Sequence, residues 1–169
     1  MEESGVRIVE LPPMRVAYSL GFGASPEVDA WSAIVGYGRS NNYLSNLKQR
    51  RFFGFNNPSP STGTPNYGYE QWMTVDTEAK DEGNVNVKQF PGGRFAVLRC
   101  ESLAMIGTVW QRLVEWWKSS PYREAEHPDL PGLEELLNPE ILISPEGNLL
   151  LTEETINACQ FDLYFPIGK

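Results

Sequence analysis

The chain contains the stretch Tyr67-Gly68-Tyr69-Glu70-Gln71-Trp72-Met73-Thr74-Val75, which follows a run of turn-forming residues from Asn56 to Asn66. Aromatic and β-branched residues after such a run are typical of a β-strand, in which alternate side chains lie on opposite faces. Glu70 then shares one face with Trp72, while Tyr69 points to the other face. A carboxylate beside an indole is either half of an ion pair or the polar group of an aromatic pocket, and we favour the pocket.

Composition limits the class of protein. The chain has 169 residues, of which 41% are hydrophobic and 12% aromatic, so it can bury the core of one globular domain or of two small modules. The net charge of −8, without an extended cluster of lysine and arginine, argues against direct nucleic-acid binding and suits a cationic ligand. No apolar stretch approaches the roughly 20 residues of a membrane helix, and Met1 to Ser4 begins no leader sequence. We therefore expect a cytoplasmic protein with no membrane partner.

Other residue types that carry chemistry are sparse. Cys100 and Cys159 are too few for a disulfide framework or a zinc site, and we predict two buried thiols. The single histidine, His127, stands in the polar run from Arg123 to Asp129 and is expected to be solvated. The acidic pair Glu134-Glu135 is interpreted as a solvated helix face or turn. Because no metal cluster, nucleotide loop or catalytic triad can be assembled, the sequence predicts no metal and no cofactor.

The first half of the chain predicts a strand, a helix and two further strands. Alternating apolar positions indicate a strand from Val6 to Ser19 that turns at its prolines. A helix is predicted to begin at Ser25-Pro26-Glu27, where a hydroxyl, a proline and an acid suit its first positions, and to break within Gly36 to Asn42. Arg51 to Phe55 indicates the second strand, and the stretch around Glu70 the third.

The second half repeats this pattern at an offset of about 79 residues. One block that matches pairs Pro12-Pro13-Met14-Arg15-Val16-Ala17-Tyr18 with Pro91-Gly92-Gly93-Arg94-Phe95-Ala96-Val97. A second block pairs Trp31, Ile34 and Tyr37 with Trp110, Leu113 and Trp116. The second trio lies on a helix predicted from Ser102 to Lys118. Two blocks in one register indicate an internal duplication.

The third strand of the repeat is also duplicated. With about a dozen additional loop residues between Pro121 and Glu146, the Glu70 strand corresponds to Phe161-Asp162-Leu163-Tyr164-Phe165. Asp162 then corresponds to Glu70, and Tyr164 corresponds to the tryptophan two residues after Glu70. The two acids become related by pseudo-symmetry.

Two explanations of this self-similarity remain. One is that both halves simply need amphipathic helices and alternating strands, which occur in many α+β domains. The other, which we favour, is an α+β fold of two strand–helix–strand–strand modules, related by a pseudo-twofold axis, whose antiparallel sheets flank a central cleft. The modules would span about residues 5–78 and 83–169 of a single domain, residues 1–169.

Five segments carry a resemblance to a known family. They are Leu11-Pro12 with Arg15-Val16-Ala17, the helix around Trp31, Tyr69-Glu70-x-Trp72, Phe90-Pro91-Gly92-Gly93-Arg94-Phe95-Ala96-Val97, and Asp162-Leu163-Tyr164-Phe165-Pro166-Ile167. Together they resemble the GyrI-like small-molecule-binding domain, which is also the effector-binding part of AraC-type and MerR-type multidrug regulators. The resemblance covers nearly the whole chain. Because no DNA-binding segment accompanies it, the chain resembles a stand-alone member of the family.

The resemblance implies a cleft for lipophilic, cationic or planar drugs and toxins, with a buried glutamate near its centre, for which Glu70 is the candidate. The predicted ligand-binding residues are Glu70, Trp72, Tyr37, Trp110, Asp162 and Tyr164. The family often carries glutamate where Asp162 stands, so this acid has a shorter reach. The alternative for Glu70 is a structural ion pair with Arg94 or Arg15, and the alternative for the two tryptophans is a core position.

The resemblance also implies a second function. Some stand-alone members resemble metal-free hydrolases that open the cyclopropane of DNA-alkylating natural products with a glutamate and a tyrosine. Glu70 would be the general base, because aromatic walls raise the pKa of a carboxyl group, and Tyr69 the hydrogen-bond donor. Since an ideal strand points Tyr69 away from Glu70, a bulge, Tyr37 or Tyr164 would have to supply the second group.

A third function is suggested by the family name, which refers to gyrase. In that case the acidic surface would bind a protein, and the cleft would have no role. The sequence leaves the oligomeric state open between a monomer and a homodimer.

Overall fold

The computed structural model describes residues 4–57, 59–127 and 129–168, so the expectation about Met1 to Glu3 lies outside the described residues. Within them the strands are β1 (Arg7–Leu11), β2 (Met14–Gly23), β3 (Phe52–Asn56), β4 (Tyr67–Thr74), β5 (Asn86–Phe90), β6 (Gly93–Cys100), β7 (Leu133–Leu136) and β8 (Phe161–Pro166). The α-helices are α1 (Pro26–Ser40), α2 (Ile106–Lys118) and α3 (Glu153–Asn157). Short 3-10 helices lie at Leu44–Gln49, Leu103–Met105 and Pro139–Ile141.

The eight strands form one antiparallel sheet in the order β1-β6-β8-β7-β3-β4-β2-β5. β1 leads directly into β2 but pairs with β6, and β5 leads directly into β6 but pairs with β2. The chain therefore crosses between the two ends of the sheet at two corners, Pro12-Pro13 and Pro91-Gly92, and the sheet curls into a half-barrel. Gly92 has a φ of 81°, and a Cβ atom there would overlap the carbonyl oxygen of Leu11, so glycine allows the two corners to touch.

The strand register confirms the internal duplication. β2 begins at Met14 and β6 begins 79 residues later. Leu20 of β2 pairs with Glu70, and Arg99 of β6, again 79 residues later, pairs with Asp162. Asp162 is therefore the structural counterpart of Glu70, and the predicted fold of two pseudo-twofold-related modules is confirmed.

The pseudo-twofold axis passes through the middle of the sheet. Phe55 of β3 pairs with Glu70, and Glu135 of β7 pairs with Asp162, so Phe55 and Glu135 are counterparts. The residues that precede them, Gly54 and Glu134, are then counterparts as well, and these two pair with each other across β3 and β7. Because Gly54 and Glu134 are counterparts and also pair with each other, the pseudo-twofold axis passes between them.

The two faces of the sheet are covered differently. On the face that we call the helix face, α1 packs on β2 and β4, and α2 packs on β6 and β8. The central strands β3 and β7 lie between the two helices. The other face, which we call the barrel face, is filled by its own aromatic core, which includes Phe53, Trp72, Phe95 and Tyr164. The helices therefore leave a cleft over the pseudo-twofold axis.

The fold settles the predictions for the two cysteines and the histidine. Cys100 and Cys159 are both buried free thiols, and His127 is exposed in a loop, as predicted. Among the described residues, no group of side chains has the composition of a metal site. None of the helices in the described ranges has the length and apolar character to cross a membrane.

Candidate functional site

A cavity of about 430 Å³ opens on the helix face between α1, β7 and the segment that joins β7 to β8. Its walls are mostly apolar and aromatic: Val28, Trp31, Leu103, Ile106, Leu142, Leu151, Ile156, Cys159 and Phe161. Its polar lining consists of Ser25, Glu27, Asn56, Tyr69 and Glu134. Among the described residues, no lysine, arginine or histidine lines this cavity, so its only formal charges are the two carboxylates.

Glu134 lies at the centre of the site because β7 is held between β3 and β8. One carboxylate oxygen accepts a hydrogen bond from the Tyr69 hydroxyl at 3.1 Å, and the other accepts from the Trp110 indole Nε1 at 2.8 Å. Trp110 lines a smaller adjoining cavity of about 250 Å³, which also includes Asn56 and Glu134. Glu134 thus connects the two spaces.

The charge of Glu134 is not balanced by the protein. Its two hydrogen-bond donors are neutral, and no salt bridge between described residues includes it. Burial raises the pKa of Glu134, and the nearby carboxylate of Glu27 raises it further, although the two hydrogen bonds act in the opposite direction. The site therefore holds a carboxylate whose ionised form lacks a cationic partner.

The neighbouring acid Glu135 has the opposite environment. Strand alternation sends it to the barrel face, where it accepts two hydrogen bonds from Arg51, at 2.8 and 3.0 Å, and one from Tyr164 at 2.6 Å. The interpretation of Glu134-Glu135 as a solvated helix face or turn is therefore wrong. Both acids lie in a central strand, one neutralised by arginine and the other directed into a cavity.

Gly54 gives Tyr69 access to Glu134. The Tyr69 ring lies across β3, and a Cβ atom at Gly54 would overlap the Tyr69 hydroxyl. Burial raises the pKa of Tyr69 well above its usual value, and the adjacent Glu134 carboxylate adds to this effect. Tyr69 is therefore a protonated, fixed donor at the floor of the cavity.

Two residues predicted from the sequence, Tyr69 and Trp110, are brought to this site. Glu70 and Trp72 are not, because alternation places them on the barrel face. No bulge interrupts β4, so Tyr69 and Glu70 point to opposite faces, as the ideal strand geometry predicts.

Glu70 is buried and has a cationic partner. It accepts hydrogen bonds from Lys88 Nζ and Trp72 Nε1, each at 2.5 Å, and from Asn57 at 3.2 Å. The Lys88 ammonium also lies 4.1 Å from the centre of the Tyr18 ring. The ion pair that we considered for Glu70 is therefore present, but its partner is Lys88.

The three remaining predicted residues lie away from the cavity. The Tyr37 hydroxyl donates to the backbone carbonyl of Lys80 at 2.8 Å within the core under α1. Asp162 pairs with Arg7 at 2.8 Å and Arg99 at 2.9 Å. Tyr164 donates to Glu135 on the barrel face. The structure thus brings neither Asp162 nor these tyrosines to the site.

We expect Glu134→Gln to raise the free energy of unfolding at neutral pH. The pKa of Glu134 is higher in the folded protein than its ordinary value of 4.5, so the folded state binds this proton more tightly than the unfolded chain. The wild type must therefore lose stability as pH rises above 4.5 through the folded pKa, whereas the amide does not titrate. Urea unfolding between pH 4 and 8 measures the difference, which should vanish at the acidic end.

The matched control for this prediction is Glu140→Gln. Glu140 is exposed and lies six residues after Glu134 in the chain, so the same chemical change there should alter the free energy of unfolding at neutral pH by no more than about 0.5 kcal/mol. A stability difference for Glu134→Gln that does not change with pH would contradict the prediction.

Comparison with known proteins gives a family match over most of the chain. The model of the Cass2 family, described as integron-associated effector binding protein, matches residues 7–167. No curated protein matches the sequence. A hydrolase from Listeria innocua has a similar structure, with a TM-score of 0.66 and 8% identity over 99% of this chain and 94% of that chain.

Two further solved structures are similar. EcmrR in its complex with DNA has a TM-score of 0.65 and 12% identity over 97% of this chain, which spans 57% of the EcmrR chain. SAV2435 bound to tetraphenylphosphonium has a TM-score of 0.50 and 9% identity, over 99% of this chain and 94% of that chain. At these identities the similarities establish the fold, a curled antiparallel half-barrel with helices on one face.

Proposed function

Since the chain belongs to the family of integron-associated effector binding proteins, we propose that its effector is a lipophilic cation held in the cavity at Glu134. The predicted resemblance to the GyrI-like domain is confirmed by this family match together with the shared fold of EcmrR. Membership of an effector-binding family supports a small-molecule ligand in general. The choice of a cation comes from the cavity itself.

The observation that carries the proposal is the unbalanced carboxylate of Glu134. An ionised carboxylate removed from water is costly unless an opposite charge compensates it, and the described part of the chain supplies only neutral donors. A cation in the cavity would provide the missing charge. The same cation would also reduce the electrostatic repulsion between the carboxylates of Glu27 and Glu134.

The walls of the cavity favour a large aromatic or aliphatic body. Its volume of about 430 Å³ lies within the usual range of roughly 300–1,000 Å³ for drug-sized ligands. Trp31, Tyr69 and Phe161 line the cavity, and a cation over the face of an aromatic ring gains about 0.5–2 kcal/mol. Val28 is 48% exposed and Leu103 is 37% exposed, so apolar surface continues at the rim. Lipophilic parts of the ligand would cover it.

Two ions of the same shape and opposite charge test this proposal. Tetraphenylphosphonium and tetraphenylborate have nearly the same shape and apolar area but opposite charge. A difference between their affinities therefore reports on charge. We expect isothermal titration calorimetry to show binding of the phosphonium and none of the borate. Affinity for the phosphonium should rise with pH as Glu134 ionises, because the burial that raises its pKa also leaves it protonated in acid. Equal affinity for both ions would contradict the proposal.

A second candidate function, hydrolysis of an electrophilic toxin, is favoured by one contact. The Tyr69 hydroxyl lies 3.1 Å from the carboxylate of Glu134, whose pKa is raised by burial, and a carboxylate with a raised pKa is a stronger base than an ordinary one. Glu134 would be the general base that activates water, with Tyr69 as the hydrogen-bond donor. Mass spectrometry of a cyclopropane-bearing alkylator incubated with the protein separates the functions, since capture leaves the compound unchanged and hydrolysis adds one water.

The remaining expectations about partners follow from charge. The net charge of −8 supports the absence of direct nucleic-acid binding. As a separate point, we propose that the protein acts in the cytoplasm. No specific contact of the described residues favours gyrase or another protein as the partner.

A further inference from the structure

We propose that the cavity prefers dications whose two cationic centres lie at opposite ends of a rigid aromatic body, and that Glu27 is the residue that recognises the second centre. This inference rests on the proposed function at Glu134. It adds a class of ligand and a residue that determines specificity.

Two tyrosine–glutamate pairs hold the acids of the cavity, whose lining includes both glutamates and Tyr69 but not Tyr67. The Tyr69 hydroxyl donates to Glu134 at 3.1 Å, and the Tyr67 hydroxyl donates to Glu27 at 2.5 Å. Tyr67 and Tyr69 are two residues apart on β4, so both side chains lie on the helix face with their Cα atoms about 7 Å apart. The strand therefore holds two carboxylates above the same face of the sheet, each through a tyrosine hydroxyl.

Glu27 is more than an acid that stabilises a helix N-terminus. Acidic residues in the first turn interact favourably with the helix dipole, and both Glu27 and Asp29 occupy the first turn of α1. Asp29 is exposed and does not line the cavity. Glu27 lines the cavity and is oriented by Tyr67. Only Glu27 is therefore positioned to meet a ligand.

The charge of the cavity exceeds what a monocation can balance. Neither Glu27 nor Glu134 forms a salt bridge with any other described residue, and no described cationic side chain lines the cavity. The Glu27 carboxylate also contributes to the raised pKa of Glu134, so the two charges interact across the space. A monocation would neutralise one of them, whereas a dication would neutralise both.

An aromatic ligand body suits the aromatic residues that line the cavity with the two acids. Trp31 lies four residues after Glu27 on α1, so the indole and the carboxylate share one face of the helix. Trp31 and Phe161 line the cavity together with Tyr69. A flat biaryl would contact these rings while its ends reach the two carboxylates.

A matched pair of compounds tests the inference. Methyl viologen and 1-methyl-4-phenylpyridinium share a biaryl frame, but the first carries a cationic nitrogen at each end and the second at one end. For the wild type, in a buffer of about 0.15 M salt that screens distant charges, we expect calorimetry to show about tenfold tighter binding of the dication. Glu27→Gln should reduce this preference to about twofold or less, because it removes the carboxylate that meets the second cationic centre.

Two further variants complete the design. Asp29→Asn removes the same charge from the same helical turn outside the cavity, so the tenfold preference should remain. Tyr67→Phe keeps both carboxylates but releases Glu27, so it should lower the preference partway while the melting temperature shows that the protein is folded. Glu134→Gln should weaken binding of both compounds.

The possible outcomes distinguish the inference from the proposed function. If the monocation binds in a manner that depends on Glu134, but Glu27→Gln leaves the dication preference intact or the wild type shows none, the inference is overturned and the proposed function stands. An equal loss of preference in Asp29→Asn overturns it as well, because the preference would then reflect net charge. If neither compound nor tetraphenylphosphonium binds, the proposed function fails and the inference fails with it.

Discussion

Glu134→Gln is expected to weaken binding of tetraphenylphosphonium about thirtyfold or more. Removing one partner of a close, desolvated charge pair costs about 2–5 kcal/mol, and 2 kcal/mol corresponds to about thirtyfold in affinity. Glutamine has nearly the shape of glutamate and still accepts from Trp110 while its amide donates to Tyr69, so the cavity keeps its form. Isothermal titration calorimetry of the variant and the wild type at pH 7 measures the loss.

The control for this prediction is the same substitution at Glu70. Glu70 is paired with Lys88 on the barrel face, so Glu70→Gln should leave affinity for the phosphonium within about twofold. Stability should change instead, since Glu70 accepts three hydrogen bonds within the protein, one of them from Lys88. We expect a loss of about 1–2 kcal/mol in urea unfolding, limited because the Lys88 side chain is 37% exposed and can turn to water.

Together the two variants decide between two glutamates. The sequence predicts Glu70 as the ligand-binding acid, and that assignment stays a prediction until binding is measured. A large loss of affinity in Glu70→Gln with none in Glu134→Gln would support the sequence-based assignment. The reverse pattern would support the cavity at Glu134.

The duplication explains how much of the fold the sequence predicts. The shared offset of 79 residues holds between the starts of β2 and β6 and in the pairing of Leu20 with Glu70 and of Arg99 with Asp162. Each of these relations depends on local periodicity within long elements, which the sequence displays directly. The modules and their symmetry can therefore be derived before any coordinates.

Glu134 was missed because its strand depends on tertiary contacts. β7 has four residues, two of them adjacent acids, and its sequence alone does not distinguish it from a solvated turn. Its burial comes from pairing with β3 and β8, which are distant in the sequence. One signal was available, since the repeat requires a strand after α2 that corresponds to β3. Leu133 to Leu136, which has apolar residues at both ends, is one candidate for such a strand within the loop region.

The role of Glu70 also depends on a contact between distant segments. The aromatic surroundings that the sequence indicates are present, since Glu70 lies beside Trp72 and Phe55. Lys88 reaches the same carboxylate from β5, a strand that the repeat pattern does not assign to this module. Periodicity within a segment does not reveal which cationic side chain of another strand will pair with a given carboxylate.

The site is asymmetric although the scaffold is pseudo-symmetric. At the pseudo-twofold axis one module contributes Gly54 and the other contributes Glu134, so a single carboxylate lies where symmetry would place two. The segment between β7 and β8 also adds Leu142, Leu151 and Ile156 to one wall of the cavity. The duplication supplies the cleft, and the differences between the halves supply its charge and shape.

Phe53→Ala is expected to lower the free energy of unfolding by about 3–5 kcal/mol, the usual cost of truncating a fully buried phenylalanine. Phe53 is 0% exposed in β3, and its ring contacts Trp72 and Tyr164 edge to face, with ring centres 6.4 and 5.8 Å apart. Trp72 belongs to the first module and Tyr164 to the second. Phe53 therefore packs across the junction of β3 and β7 on which the cavity rests.

Phe22→Ala is the matched control, because Phe22 is 62% exposed on β2 and its truncation should cost no more than about 0.5 kcal/mol. Urea unfolding followed by tryptophan fluorescence and by circular dichroism measures both variants. If residues 1–169 fold as one cooperative domain, the two probes should coincide at a lower midpoint in Phe53→Ala, since the half-barrel cannot lose its junction without losing both modules. Two separate transitions would instead mean that the modules fold independently, and a loss no larger than that of Phe22→Ala would mean that Phe53 contributes little to the junction.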